Sequence, residues 1–403
     1  MPTKLLQICA RATTFPDLEN ILVQCCSSIT DWDALLAEAE QQGVAPLLHW
    51  HLQSYTEACP ARIRMALRLL YLRHLHTNTV NAEVLKETIE LFSNAGIEVL
   101  VLKGAALCHT IYPDIGLRPM RDIDILIRKE QARQAQDLLL RQGFIESSAP
   151  RPEGHFHLPS LHKKVQDIRI CIELHTGLFP DCPPFYAQVD FDELLARARS
   201  FSIEDTAALC MGDEDMLWHV FEHGFHMPLT YEPYKLISVA DIVTLVEKQL
   251  HTLDWQRIQH AYPRIMAALP LFNHLTPWQK EVGEHLSWNL GKPIKDAGAP
   301  FVGWPHQRMA DQRRLSSLAI LKRTFNPPDW WTQLYYGADG WWERLKCRLF
   351  HHPAHILWWV RLYSSYIQPK SGETQTGKGR TVKTGRSISG LFAAMRKLLR
   401  RVN

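Results

Sequence analysis

Residues 99–127 read VLVLKGAALCHTIYPDIGLRPMRDIDILI. The run IEVLVLKG, ending at Gly104, is short, apolar and β-branched, and closes on glycine. That pattern predicts a buried strand. AALCHTIY (105–112) predicts a short helix after it, and DIDILI (122–127) a second buried strand. Asp122 and Asp124 stand one residue apart on that second strand, so their side chains share a face. Two carboxylates held together on a buried strand repel each other unless a cation lies between them. Oxygen ligands of this kind favour Mg²⁺ or Mn²⁺, and a pair of such ions can flank a phosphoryl centre. Gly104, between strand and helix, lets backbone amides approach a phosphate, aided by the helix N-terminus.

Outward from this stretch the pattern changes on both sides. Residues 1–95 read as helices, with apolar residues at helical spacing from Asp31 to Leu52 and from Ala61 to Phe92. Downstream, Lys129 to Gln142 is an amphipathic helix closed by Gly143. Ser147 to His162 is rich in Pro, His and Ser and reads as a loop. DIRICIELH (167–175) alternates and predicts a third strand, which carries Glu173 towards the same sheet edge as the Asp pair. Residues 190–295 read as helical again, including Asp213 to His226 and Leu236 to Leu250. Residues 300–368 hold the Trp doublets Trp330–Trp331, Trp341–Trp342 and Trp358–Trp359. Residues 371–390 read as a flexible linker, and LFAAMRKLLRRV (391–402) as a short basic amphipathic helix. The expected organisation is α+β: a small mixed-sheet core at 96–190, helical regions at 1–95 and 191–368, and a basic tail at 369–403.

Composition excludes several classes. A chain of 403 residues with 46% hydrophobic and 22% charged residues has ordinary globular make-up, so a disordered chain or a coiled-coil rod is ruled out. No run of eighteen uncharged apolar residues predicts a transmembrane helix, and the opening MPTKLLQICARATTF has too short an apolar stretch for a secretory signal. Nine cysteines without a CxxC pair fit free thiols in a reducing cytoplasm. The net charge of +3 is uneven: residues 369–403 hold nine Lys/Arg against Glu373, leaving the rest at −5. The body therefore lacks the charge of a nucleic-acid binder, while the tail suits an anionic surface such as the inner face of a membrane.

The order strand–glycine–helix, DxD on the next strand and an acid on a later one resembles the nucleotidyltransferase superfamily with the polymerase-beta-like fold. The wording LKGAAL, IYPD, LRPMRDIDILI and IELH looks like the bacterial family of uncharacterised nucleotidyltransferases. EDMLWHVFEHGFH (214–226), SVADIVTLV (238–246) and LDW (253–255) extend the likeness to about residues 20–290. The resemblance implies transfer of a nucleoside monophosphate from an NTP to an acceptor (protein, sugar or small molecule), with release of pyrophosphate and dependence on Mg²⁺ or Mn²⁺. It matches Asp122 and Asp124 to the metal-binding pair, Glu173 to the third acid, and Gly104 to the turn glycine. Glu173 would then complete the metal site or deprotonate the acceptor. Ala105 stands where a serine hydroxyl often meets phosphate, and the gap from Gly104 to Asp122 is longer than in common members. A non-catalytic interaction protein on the same fold is the alternative, and the basic tail adds a role peripheral to the membrane in envelope or polysaccharide assembly.

Supporting residues cluster near the motif. Lys103 and Arg118 are candidate phosphate contacts, and Arg121 precedes the acidic pair. His157 and His162 fall in the loop before the third strand, and His175 follows Glu173 at i+2. His219, His223 and His226 lie at i, i+4 and i+7 on one helix. That spacing permits zinc, but no nearby Cys or HExxH supports it. The resemblance instead implies His223 and Asp241 facing the nucleotide site.

Overall fold

The computed structural model describes residues 3–54, 58–148, 155–179, 189–226, 235–290, 294–299, 301–304 and 315–367, with side chains as far as residue 360. The tail from 369 and its short helix lie outside the described residues. The helical start is borne out by Lys4–Cys9 (α1), Leu18–Ser27 (α2), Trp32–Gln41 (α3), Ala45–Leu52 (α4) and Ala61–Asn94 (α5). Asp31 caps α3 by accepting from the amides of Asp33 and Ala34.

The core begins with Val99–Val101 (β1), Lys103–Thr110 (α6), Ile123–Ile127 (β2) and Ala132–Arg141 (α7). Ile145–Glu146 (β3), Leu161–Val165 (β4) and Ile168–His175 (β5) follow. Every residue of β1 and β2 is buried, as their continuous apolar runs require. Phe191–Ala196 (α8), Arg199–Ile203 (β6), Thr206–Cys210 (β7), Asp213–Phe225 (α9) and Leu236–Lys248 (α10) complete the part that builds the site.

Among the described residues, seven strands form one mixed sheet in the order β3-β4-β5-β2-β1-β7-β6. β2 lies between antiparallel β1 and parallel β5. In the β2–β5 register Asp124 is directly opposite Glu173. The Leu102 amide donates to the Asp124 carbonyl at 3.0 Å, so the chain leaves β1 beside that carboxylate. Asp122 lies one residue before β2.

Two sequence expectations are corrected. Residues 190–295 are not wholly helical, because the β6–β7 hairpin extends the sheet at Arg199–Cys210. Its two-residue turn is Glu204-Asp205, with Glu204 at φ 53°. The absence of glycine there removed the usual hairpin signal. The loop expected to run to His162 ends at Ser160, and β4 starts at Leu161. LHKKV is strongly polar, and its strand state comes from pairing with β5 across a Gln166-Asp167 turn at φ 47° and 64°.

The segment between α6 and β2 is pinned to α5. Asn78, almost fully buried, donates through Nδ2 to the carbonyls of Ile115 and Arg118, the latter at 2.8 Å. Gly116 in this segment is pressed against α5; a β-carbon there would lie 2.8 Å from Leu75 Cβ and 2.9 Å from Tyr71 Cε2.

Beyond α10 further helices run to Ile367, among them Asp329–Tyr336, Trp341–Lys346 and His352–Ile367. Trp330, Trp331 and Trp359 are core residues. Trp341 and Trp342 instead stand 70% and 57% exposed, which makes them a surface feature.

Asn78→Ala removes the amide donor to the part-buried carbonyls of Ile115 and Arg118 and leaves them only the weak Cys108 thiol. It is expected to lower the unfolding free energy by about 1–3 kcal/mol, measured by urea denaturation.

Candidate active site

Asp124 is 3% exposed, in the middle of the sheet. Both its oxygens are bonded: His175 Nε2 is 2.7 Å from Oδ1, and Lys103 Nζ is 2.9 Å from Oδ2. Burial opposes its charge, but the Lys103 ammonium and the His175 hydrogen bond hold the carboxyl well below the usual range. Asp122 moves the other way: burial first, then the adjacent Asp124 charge, push it up to about 7, with Lys103 pulling against them. The expected mutual repulsion of the pair is thus present in the fold.

Glu173 reaches the same cluster from β5. Ser160 Oγ donates to its Oε1 at 3.0 Å, and His157 Nε2 is 3.7 Å from Oε2. His157 is placed by a bridge that pairs its backbone with His175. Among the described residues, Asp124, Glu173 and His175 form the one group of potential metal ligands, their nearest ligand atoms within 4.8 Å of one another. His162 falls on β4 opposite Cys171.

Lys103 begins α6 in the left-handed region, at φ 45°. Its ammonium is also 3.4 Å from His223 Nε2 on α9. Burial, then the Lys103 charge, hold His223 well below the usual imidazole range, so its ring is neutral and accepts from the ammonium. His219 is buried one turn earlier against Phe179, and His226 is bonded to Glu222 within its own helix. The three histidines of α9 therefore do not converge on a metal.

The glycine of the motif has a different role from the one its position suggests. Gly104 is absent from the left-handed positions; the residue there is Lys103. A β-carbon on Gly104 would overlap the Arg118 guanidinium, so the glycine is the seat of that side chain. Arg118 is in turn clamped by Asp241 of α10, at 2.8 Å through Nη2 and 3.3 Å through Nε. Tyr112 donates to the same carboxylate at 2.7 Å. Burial works against the guanidinium charge, yet Asp241 raises the Arg118 pKa above its ordinary value. Arg118 is therefore a fixed wall of the site as well as a candidate phosphate contact. Ala105 is buried in α6, which leaves only its backbone to face a ligand.

Part of this cluster lines a cavity of about 580 Å³, while Glu173 and His175 are outside its lining. Its lining includes Lys103, Gly104, Arg118, Arg121, Asp122, Asp124, His223 and Asp241. Glu40, Arg73, His74 and Lys235 form a second group of charged and polar residues in the same lining. Sequence reading missed that second group, because isolated charges on α3 and α5 look like solvated helix faces. It also gave no sign of Ser160 or of the Tyr112 contact. The cavity is large enough for a nucleotide-sized ligand.

A family model described as an uncharacterised nucleotidyltransferase matches residues 28–276, more than half of the chain. A solution structure of the antibiotic-resistance factor ANT(2'')-Ia is similar at 13% sequence identity, covering 49% of this chain and 98% of that one, with a TM-score of 0.32. No curated protein matches.

Gly104→Ala forces Arg118 off its seat. Overpacking of this kind is expected to remove about 1–3 kcal/mol of stability. In an Arg118→Met background the same substitution should have a smaller effect, and a double-mutant cycle by thermal denaturation measures the difference.

Proposed function

Because the chain belongs to the uncharacterised nucleotidyltransferase family, we propose that it moves a nucleoside monophosphate from an NTP to an acceptor hydroxyl and releases pyrophosphate. The observation that carries this reading is the register of β2 and β5, which sets Asp124 beside Glu173 at the sheet centre, with Asp122 two residues earlier, just before β2. Buried carboxylates of like charge, already drawing a lysine ammonium to themselves, suit Mg²⁺ or Mn²⁺. Asp122, Asp124 and Glu173 would hold it. A divalent ion in such a site supplies charge stabilisation to the phosphoryl oxygens.

The chain's own residues have separable tasks. His175 fixes the orientation of Asp124 by donating from Nε2, as partners behind a ligating carboxylate commonly do. Ser160 does the same for Glu173. Glu173 is one-fifth exposed, so it can meet an acceptor and take its hydroxyl proton. The acceptor oxygen then bonds to the α-phosphorus as the bond to the bridging oxygen of pyrophosphate breaks. Lys103, the first amides of α6 (Gly104 and Ala105) and the Arg118 wall face the phosphates. Catalysis of this type is positioning and electrostatics, with no covalent intermediate required.

A second reading, contact with an anionic membrane surface, is favoured by one observation. Trp341, Trp342, Leu349 and Phe350 are all more than half exposed on the adjoining helical segments Trp341–Lys346 and Cys347–His351, which also carry Arg344 and Lys346. Trp beside basic residues suits a lipid headgroup region. No helix of the described residues is long and apolar enough to cross a membrane. This surface and the transfer site occupy different parts of the chain and do not compete.

Calorimetry with the four NTPs tests the first reading. Wild type should bind at least one of them in a Mg²⁺-dependent manner, and Asp124→Ala should not. With α-labelled NTP, transfer by Asp124→Asn should fall by about 10²-fold or more; turnover that survives it would place the chemistry elsewhere. For the second reading, Trp341→Ser/Trp342→Ser should reduce co-sedimentation with phosphatidylglycerol vesicles, while NTP binding stays unchanged.

A further inference from the structure

Lys103 has two demands on it. The proposed chemistry asks it to face phosphate, yet its ammonium is committed to Asp124 at 2.9 Å, with only 11% of the side chain exposed. His223, neutral in its buried setting, supports the ammonium from the other side at 3.4 Å. The remaining oxygen of Asp124 is taken by His175. The backbone of Lys103 is held at φ 45°, a conformation that side-chain-bearing residues avoid. The seam between β1 and α6 thus imposes the position, which local preference would not choose.

One positive charge therefore already neutralises the carboxylate that a divalent ion would use. Two cations on a single buried oxygen repel strongly, because the surroundings screen them poorly. We infer that Lys103 is a resident counter-ion. It neutralises Asp124 when the carboxylates hold no divalent ion and withdraws when one arrives. It then meets the nucleotide phosphates across the same cavity, which both Lys103 and Asp124 line.

This inference rests on the metal-dependent reading and adds a linkage to it. The metal ion must displace a cation, and the nucleotide gives that cation a new partner. Metal and nucleotide then bind more readily together than either does alone. A lysine serving only as a structural ion pair would not behave in this way.

The test measures Mn²⁺ binding without nucleotide, by the electron paramagnetic resonance signal of the unbound ion. Wild type, Lys103→Met, Lys103→Ala and Asp124→Asn are compared. Removing the resident cation should tighten Mn²⁺ binding by about tenfold in both Lys103 variants, and Asp124→Asn should abolish it. A second readout uses wild type alone, so it does not depend on variant folding. The acetylation rate of Lys103, followed by mass spectrometry, should rise on adding Mg²⁺ as the ammonium leaves Asp124. Equal or weaker Mn²⁺ binding in the Lys103 variants, with loss in Asp124→Asn, overturns the inference and leaves the metal site standing. An acetylation rate that does not change while metal binds also overturns it. Absence of Mn²⁺ binding in all four proteins overturns the metal-dependent reading and the inference with it.

Discussion

A carboxylate in the middle of a sheet, 3% exposed, has to be matched by charge and hydrogen bonds or the fold loses more than packing can return. Asp124 is that group, and its surroundings are arranged around the need. β1 ends beside it and supplies Lys103, while β5 lies on its other side and supplies His175 and Glu173. α9 adds a neutral imidazole behind the lysine. At Asp122, burial and then the Asp124 charge outweigh the pull of Lys103 and Arg118, so its carboxyl is pushed up. The site is thus short of positive charge at one defined point, next to a cavity open to ligand.

Much of this was legible in the sequence because it depends on short-range pattern. The apolar runs around Leu100 and Ile125 specify buried strands, and alternation in DIRICIELH puts Glu173 and His175 on one face. Other features depend on contacts between distant segments. Gly104 looks like a phosphate turn from its neighbours alone, and only the approach of Arg118 explains the missing β-carbon. The β6–β7 hairpin stayed hidden because its turn contains Glu204 and Asp205 in place of glycine. The share of the cavity lining that comes from α3 and α5 could not be read at all, since the charges of Glu40 and Arg73 acquire meaning only once those helices are placed.

The helices outside the sheet have a mechanical part in the site. α5 holds the Ile115–Arg118 segment through Asn78, and α10 holds Arg118 through Asp241. Arg118 is therefore fixed at its backbone by one helix and at its guanidinium by another. The segment between α6 and β2 is long, yet it is tied at several points, and its length does not translate into a loosely built wall.

The order of the strands has a kinetic consequence. β1, β2 and β5 are interior, with the β3–β4 pair on one flank and the β6–β7 hairpin on the other. β3 is only two residues long and exposed, so the sheet's end on that side is easily frayed. Amide hydrogens of the flanking strands can exchange with solvent through local opening, whereas those of Ile125 and Leu174 require the whole sheet to part. The backbone that carries the carboxylate cluster lies on these interior strands, away from the frayed end.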